Sequence, residues 1–250
     1  MGFAGRRRGP GLDNHLHYLA ASVARLKGGT CRRAVRGVAI VLIMLLGMCA
    51  VLNAADQPMS RDQALAALAD KNDVEARRLG ATGLGNSGRM EDVPLLVEAL
   101  RDPDIEVRRL AEQSLWQVWS RSGDPDVDAL FQQGLEQMNQ RDFDEAIETF
   151  SQIIQKKPDF AEGWNKRATL YYLVGEYEKS VADCEEVIRR NPAHFGALSG
   201  FGLNYLQLGK PEQALDYFQR ALAVNPNLHQ IEAGVEELKQ FLEQRRQNSI

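Results

Sequence analysis

Between residues 127 and 228 large apolar residues line one helical face, give way to a short polar segment, and resume on a second face, three times over. Pro158, Pro192 and Pro226 close the three rounds at intervals of 34 residues. Aligned on these prolines, units 127–160, 161–194 and 195–228 share one skeleton. Leu130, Trp164 and Leu198 coincide, as do Gly134, Ala168 and Gly202; then Ala146, Ser180 and Ala214; Phe150, Cys184 and Phe218; Ile153, Val187 and Ala221. Apolar residues at helical spacing give each helix one buried stripe, and the small residues let its partner approach closely. The segments NQRDFDEA, LVGEYEKS and QLGKPEQA provide the turns, with Gly175 and Gly209 for unusual backbone angles. Each proline, fixed in φ and lacking an N–H, stops a second helix. The pattern predicts three helical hairpins.

Beyond Pro226, Leu228, Ile231, Val235, Leu238 and Phe241 or Leu242 share one side of a further helix, opposite Glu232, Glu236, Glu237, Lys239 and Gln240. Such a helix caps the exposed apolar end of a repeat stack. A weaker repeat precedes the hairpins: DVEARRLGATGLG at 73–85 aligns with DIEVRRLAEQSLW at 104–116. Asp73 and Asp104 are candidate N-caps, and Ser60 with Gln63 forms a candidate capping box. Leu79, Leu84, Leu110 and Leu115 are expected to face inward. Gly80, Gly83, Gly85 and Gly88 each cost about 1 kcal/mol inside a helix, so the helix from Asp73 is expected to be short, frayed and finished near Gly85. The linker Ser122-Gly123-Asp124-Pro125-Asp126 is brief. The two arrays are therefore expected to stack as one continuous solenoid, with Trp116 and Trp119 packed at the junction.

The 34-residue period, the prolines and the small-residue positions together resemble the tetratricopeptide repeat (TPR) family over about 102 of the 250 residues. Residues 60–122 are similar to HEAT-like repeats, in which an Asp-x-x-Val-Arg signature opens the second helix. Arg141 replaces the usual turn glycine of the first TPR unit, and Gln137 stands where Tyr171 and Tyr205 appear in the others. The resemblance implies an all-α fold, an α-solenoid of stacked helical hairpins. Its parts are HEAT-like units at 56–123, three TPR units at 127–228 and a capping helix at 229–250.

The family also implies a groove lined by the first helix of each hairpin, which takes a peptide or protein. On the proline frame the groove positions are Asp128, Phe131, Leu135 and Met138, then Glu162, Asn165, Thr169 and Tyr172, then Ser199, Leu203 and Leu206. Phe131 and Leu135 stand where some members carry the Lys and Asn that clamp a peptide carboxylate, so that mode is not expected. The apolar character suits an amphipathic helix or an extended apolar peptide. For Phe131, Leu135 and Met138 the alternative is cover by the preceding HEAT-like array.

Chemistry is sparse. HExxH, GxSxG, P-loop and CxxC motifs are absent, and no cofactor or metal is expected. His15, His17, His194 and His229 are scattered. Cys184 shares an inward position with Phe150 and Phe218, which reads as a small buried hydrophobe. The expectation is a non-enzymatic scaffold. The alternative is an accessory or lyase-like HEAT protein assisting an enzyme, which charged groups converging in one pocket would favour; a self-assembling structural protein is a third reading.

Composition adds an address. From Gly37 to Ala55 run 19 uncharged residues, directly after Arg32, Arg33 and Arg36. A basic stretch, an apolar core and small residues at Ala54 and Ala55 read as a secretory signal peptide. An uncleaved membrane anchor through residues 37–55 is the runner-up, and Leu46-Gly47-Met48-Cys49 is a poor lipoprotein box. Either way residues 1–55 are a targeting segment and the remainder is exported, periplasmic or secreted. Residues 1–34 are expected to be an extended basic region or sequence upstream of the true start. Residues 56–250 hold 22 basic and 33 acidic residues, a net charge of −11, which argues against nucleic acid as a partner.

Overall fold

The computed structural model describes residues 59–248; the targeting segment expected at 1–55 lies outside the described residues. Among the described residues there are eleven α-helices, one 3-10 turn and no strand. The first four are α1 (Arg61–Leu68), α2 (Val74–Ser87), α3 (Val93–Ala99) and α4 (Ile105–Trp119), with the 3-10 turn Met90–Asp92 before α3. Three hairpins follow: α5 (Pro125–Gln140) with α6 (Phe143–Lys156), α7 (Ala161–Leu173) with α8 (Tyr177–Arg190), and α9 (Phe195–Gln207) with α10 (Pro211–Val224). The last helix is α11 (His229–Gln247). No helix in this region is long and apolar enough to cross a membrane.

Local chemistry sets the helix starts. Ser60 and Gln63 make the reciprocal capping box. The Asp73 carboxylate accepts from the N–H groups of Glu75 and Ala76, Asp104 from Val107, and Asp124 from Asp126 and Val127. Each satisfies donors that the first helical turn leaves without partners. At the hairpin turns Gly175 and Gly209 adopt φ of 83° and 67°. Arg141, in the corresponding turn of the first unit, adopts φ 67° without a glycine's freedom, a left-handed conformation that costs an L-residue roughly 1–2 kcal/mol.

Two expectations for the HEAT-like helices are overturned. α2 does not fray near Gly85; it runs through Ser87, and the Gly88 N–H caps it on the Leu84 carbonyl at 2.7 Å. Its glycines are contact points. A Cβ on Gly80 would lie 2.3 Å from the Leu68 backbone nitrogen, and one on Gly85 would meet the side chains of Gln117 and Ser114 on α4. The Arg121 guanidinium binds the Gly85 and Gly88 carbonyls beyond it. Leu79 does not face inward: it is 59% exposed, whereas Leu84 and Leu115 are fully buried and Leu110 partly so. Five residues turn a helix by about 500°, which places Leu79 and Leu84 about 140° apart.

The stacked hairpins are present, but the continuity expected between the arrays is not. The HEAT-like core does not pass from α4 to α5; it closes around Phe195 of α9, with Ala193, Val224 and Leu228 packed against it. The HEAT-like helices therefore sit across the loops that join the later TPR units. At the other end α11 caps the stack as expected, with Val235 in one core with Ala214 and Phe218. Leu242 is the residue buried there, and Phe241 is exposed.

Inside the hairpins, small and large residues are paired by size. A Cβ on Gly134 would lie 2.6 Å from the Phe150 ring, and one on Gly202 would lie 2.2 Å from the Phe218 ring. In the middle unit the second helix carries Cys184 instead, and the first helix carries Ala168. Gly202→Ala is expected to lose stability. Overpacking costs ~1–3 kcal/mol and outweighs the ~1 kcal/mol that alanine gains in helix propensity. Gly200→Ala, whose Cβ would meet the Cys184 sulfur at 3.4 Å, is expected to be neutral or stabilising. Urea unfolding of both variants checks the contrast, and equal effects would contradict the size pairing.

Candidate partner-binding groove

The residues expected along the groove separate into two groups. Phe131 is a correction: it is 1% exposed, set edge-on between the Phe150 and Phe160 rings at 5.8 and 5.5 Å. The ring is committed to that core and has almost no surface to offer a partner, although it borders the cleft described next. Leu135 and Met138 are half-buried against the same core. Leu135 also lines a cleft of about 740 Å3 between α4 and α5, with Trp116 and Gln117 on the opposite wall.

The second group does come together. Asn165, Thr169, Tyr172, Ser199 and Leu203 line one pocket between α7 and α9. Thr169 is exposed and its hydroxyl donates to the Asn165 carbonyl at 2.9 Å, as Ser199 does to that of Phe195. Tyr172 is half-buried against Tyr177. Leu203 and Leu206 are 38% and 40% exposed, and they face a second cleft of about 340 Å3 whose far wall is Ile231, Leu238 and Phe241.

The groove has a wall that sequence reasoning located only in part. Trp116 and Trp119, expected to pack between the arrays, rest on the loop that opens α9. Trp119 stacks on His194 with ring centroids 4.4 Å apart, and Trp116 meets His194 and Phe195 edge-on at 5.4 and 5.3 Å. Gly196 leaves room for this, since a Cβ there would lie 2.5 Å from Trp116. Nearby, Arg101 donates to the Ala223 and Val224 carbonyls at the end of α10, and the Asn227 side chain donates to the Leu100 carbonyl at 2.8 Å.

Beneath Trp119 lies a buried ionic group. His194 and Glu162 are both inaccessible to solvent. His194 Nδ1 accepts from the Ala197 N–H at 3.0 Å, which leaves Nε2 to donate to a Glu162 oxygen at 2.9 Å. The other Glu162 oxygen accepts from Asn165 at 3.0 Å and from the Lys166 ammonium at 2.9 Å. Burial works to raise the Glu162 carboxyl. The His194 hydrogen bond and the Lys166 charge outweigh it and hold the group down to about 2. Glu162, a groove position in the proline frame, is thus a correction: it is fully buried and committed to His194, Asn165 and Lys166. No local pattern marks His194; only the Trp pair hinted that something must be covered.

Reactive groups are not assembled in the groove. Cys184 lines the pocket, but burial and the neighbouring Asp183 push its thiol up to about 12, so it carries almost no thiolate at neutral pH. A third cleft, of about 670 Å3, lies in the HEAT-like part and gathers Lys71, Arg77, Glu98, Arg101 and Asp102. Arg77 is tied to Asp102 at 2.7 Å, and Arg101 to backbone carbonyls, which leaves Lys71 and Glu98 as its uncommitted charges.

Comparison with known proteins agrees with this organisation. The tetratricopeptide repeat family model matches residues 159–227 and the HEAT repeats model matches residues 61–151. A TPR repeat-containing protein of Rhizobium etli is 31% identical over 161 residues, which are 64% of this chain and 77% of that protein. The chain is a tetratricopeptide-repeat protein. The HEAT match extends over α5 and into α6 and the TPR match begins at residue 159, so the first hairpin lies outside the TPR match and is the least typical of the three. There Gln137 replaces the tyrosine of the other units and accepts a hydrogen bond from Thr149 at 2.7 Å. Anaphase-promoting complex subunit 3 of Schizosaccharomyces pombe is 35% identical over 88 residues, 35% of this chain and 13% of that protein. The solved first TPR of Spaghetti (RPAP3), bound to an HSP90 peptide, is 23% identical with a TM-score of 0.46, over 47% of this TPR protein and 93% of that domain.

The buried carboxylate makes a prediction for acid stability. The folded value of about 2 lies below the ordinary 4.5, so the ionised Glu162 contributes about 3 kcal/mol. That contribution is complete above pH 4.5 and is lost as the pH falls towards 2. Glu162→Gln is expected to be less stable than the parent at pH 7, with most of the gap gone by pH 2.5. Urea unfolding across that range checks it, and a pH-independent gap would contradict it.

Proposed function

We propose that this protein is a non-enzymatic adaptor that binds a partner protein through an amphipathic helix or an extended apolar peptide laid along α7, α9 and α11. The observation that carries this reading is the exposure of Leu203 and Leu206 beside half-buried Tyr172, over a cleft whose far wall is also apolar. Apolar side chains that line up on successive helices mark interaction sites more often than scattered ones do. The repeat family, and the interaction roles carried in the names of some relatives, support the same reading. The HEAT-like cleft offers the enzyme-accessory alternative too few uncommitted charges to favour it.

The test is selection of a displayed random-peptide library on the full chain. Selected peptides are expected to carry apolar residues at helical or alternating spacing and to bind Leu203→Asp/Leu206→Asp at least tenfold more weakly. Both leucines are partly solvated, so the unfolding temperature of that variant should stay close to the parent's. Undiminished affinity would refute the groove.

We further propose that the body works outside the cytoplasm. The support is the run of 19 uncharged residues from Gly37 to Ala55 after three arginines. Mass spectrometry of the protein from its own host is expected to find an amino terminus at Ala55 or Asp56, or an intact span in the membrane fraction. An intact chain in the cytosolic fraction would sink the proposal.

A further inference from the structure

The junction between the second and third TPR units departs from its neighbours at three aligned positions. Ser180 stands where the first and third units have Ala146 and Ala214, and Cys184 stands where they have Phe150 and Phe218. Asn204 stands where the second unit has the fully buried Leu170. One ring's worth of bulk is thus withheld and polar groups are placed in apolar slots. The result is a cavity of about 160 Å3 that opens on the groove between α7 and α9.

Asn204 is 1% exposed and lines this cavity. Its amide nitrogen donates to the Ser180 hydroxyl and to the Gly200 carbonyl, both at 2.8 Å. The Gly200 carbonyl, a pure acceptor, fixes which end of the amide is which. The Asn204 carbonyl oxygen is left buried without a partner, a state that costs about 1–3 kcal/mol. The hydroxyls around it are also turned into acceptors: Thr169, Ser180 and Ser199 each spend their one proton on a helix carbonyl, at 2.9, 2.7 and 2.9 Å. No formally charged side chain lines the cavity.

We infer that this cavity is a specificity subsite for a neutral hydrogen-bond donor on a short stem, such as the carboxamide of an Asn or Gln in the bound partner. The inference rests on the groove reading above. A carboxylate would be repelled by the bare Asn204 oxygen and by three hydroxyls whose protons are already spent on helix carbonyls, with no charged donor beside it. An ammonium would be stripped of water with no counter-ion beside it, which costs far more than burying a neutral amide. The size also fits, since a cavity of about 150 Å3 holds a group as large as benzene.

Nuclear magnetic resonance of the labelled full chain tests this with four probes: propionamide, N,N-dimethylpropionamide, propionate and propylammonium. Propionamide is expected to give saturable shifts centred on Asn204, Ser180 and Cys184. The dimethyl analogue keeps the stem and the carbonyl, replaces both N–H groups with methyls and has no donor, and should give none. Asn204→Leu restores the residue type of the preceding unit; it should raise the unfolding temperature and abolish the propionamide response. A loss of binding in a stabilised protein is not what a structural asparagine produces. An equal response to the dimethyl analogue, a stronger one to propylammonium or propionate, no response at all, or a lowered unfolding temperature in Asn204→Leu overturns the subsite. Among peptides selected on the groove, an Asn or Gln at a fixed position and an affinity loss of tenfold or more with Asn204→Leu are expected. Peptides weakened by Leu203→Asp but not by Asn204→Leu leave the groove standing and overturn the subsite. Peptides weakened by neither overturn the groove itself.

Discussion

Two helices of a hairpin approach only as far as the side chains between them allow, and that constraint organises this protein. In the first and third TPR units a glycine on one helix receives a phenylalanine ring from the other, with would-be Cβ atoms inside 3 Å of the ring. The middle unit meets the same requirement with Ala168 and Cys184, a larger small residue against a smaller large one. The pairing of a small residue with a larger one is preserved, but the bulk is not. Interiors pack at crystal density, so bulk withdrawn from one layer has to reappear as a neighbour's side chain or as space. Here it becomes the cavity beside Asn204, and the groove acquires a polar depression in an apolar channel.

The same close-approach logic governs how the HEAT-like helices meet the TPR units. Gly196 admits the Trp116 ring, and the loop before α9 offers His194 as a flat platform for Trp119. That platform is held from below by Glu162. A carboxylate removed from water is severely penalised unless it is fully paired; this one has His194, Asn165 and Lys166. Removing any of the three leaves a charge with no water to turn to. The contact between the arrays is thus apolar on its surface and ionic underneath, and the ionic layer fixes the ring against which the tryptophans pack.

What could be read from the sequence follows from the range of each interaction. The hairpins were legible because helix faces, turn glycines and prolines are local and repeat with a period. The caps at Ser60, Asp73 and Asp104 were legible because three residues contain the whole interaction. Leu79 was misjudged because periodicity without a known partner does not say which stripe is buried. The α2 glycines were misjudged because propensity counts what a glycine costs its own helix and not what it admits from another. Phe131 occupies a groove position in the repeat frame, yet its ring found two phenylalanines first. His194, Glu162 and Trp119 are distant in sequence and meet only in the fold, so the wall of the groove had no local signature beyond two tryptophans in need of cover.

The two ends of the TPR first helices are consequently unlike. At their amino-terminal ends the HEAT-like part covers His194, Phe195 and Leu228. At their carboxy-terminal ends Leu173, Val174, Leu203 and Leu206 stay substantially exposed, and Phe241 does so on α11. A single exposed leucine on a protein surface needs no explanation, but five exposed apolar residues near the ends of α7, α9 and α11 do. Each Å2 of that surface covered by a partner returns about 25 cal/mol, whereas the amino-terminal edge has already been covered by the chain itself. Among the described residues, a partner of the proposed kind therefore finds an open approach at the carboxy-terminal ends of α7, α9 and α11. Entering from there it meets Leu206 before Leu203 and Asn204, so apolar contact comes first and polar selection second.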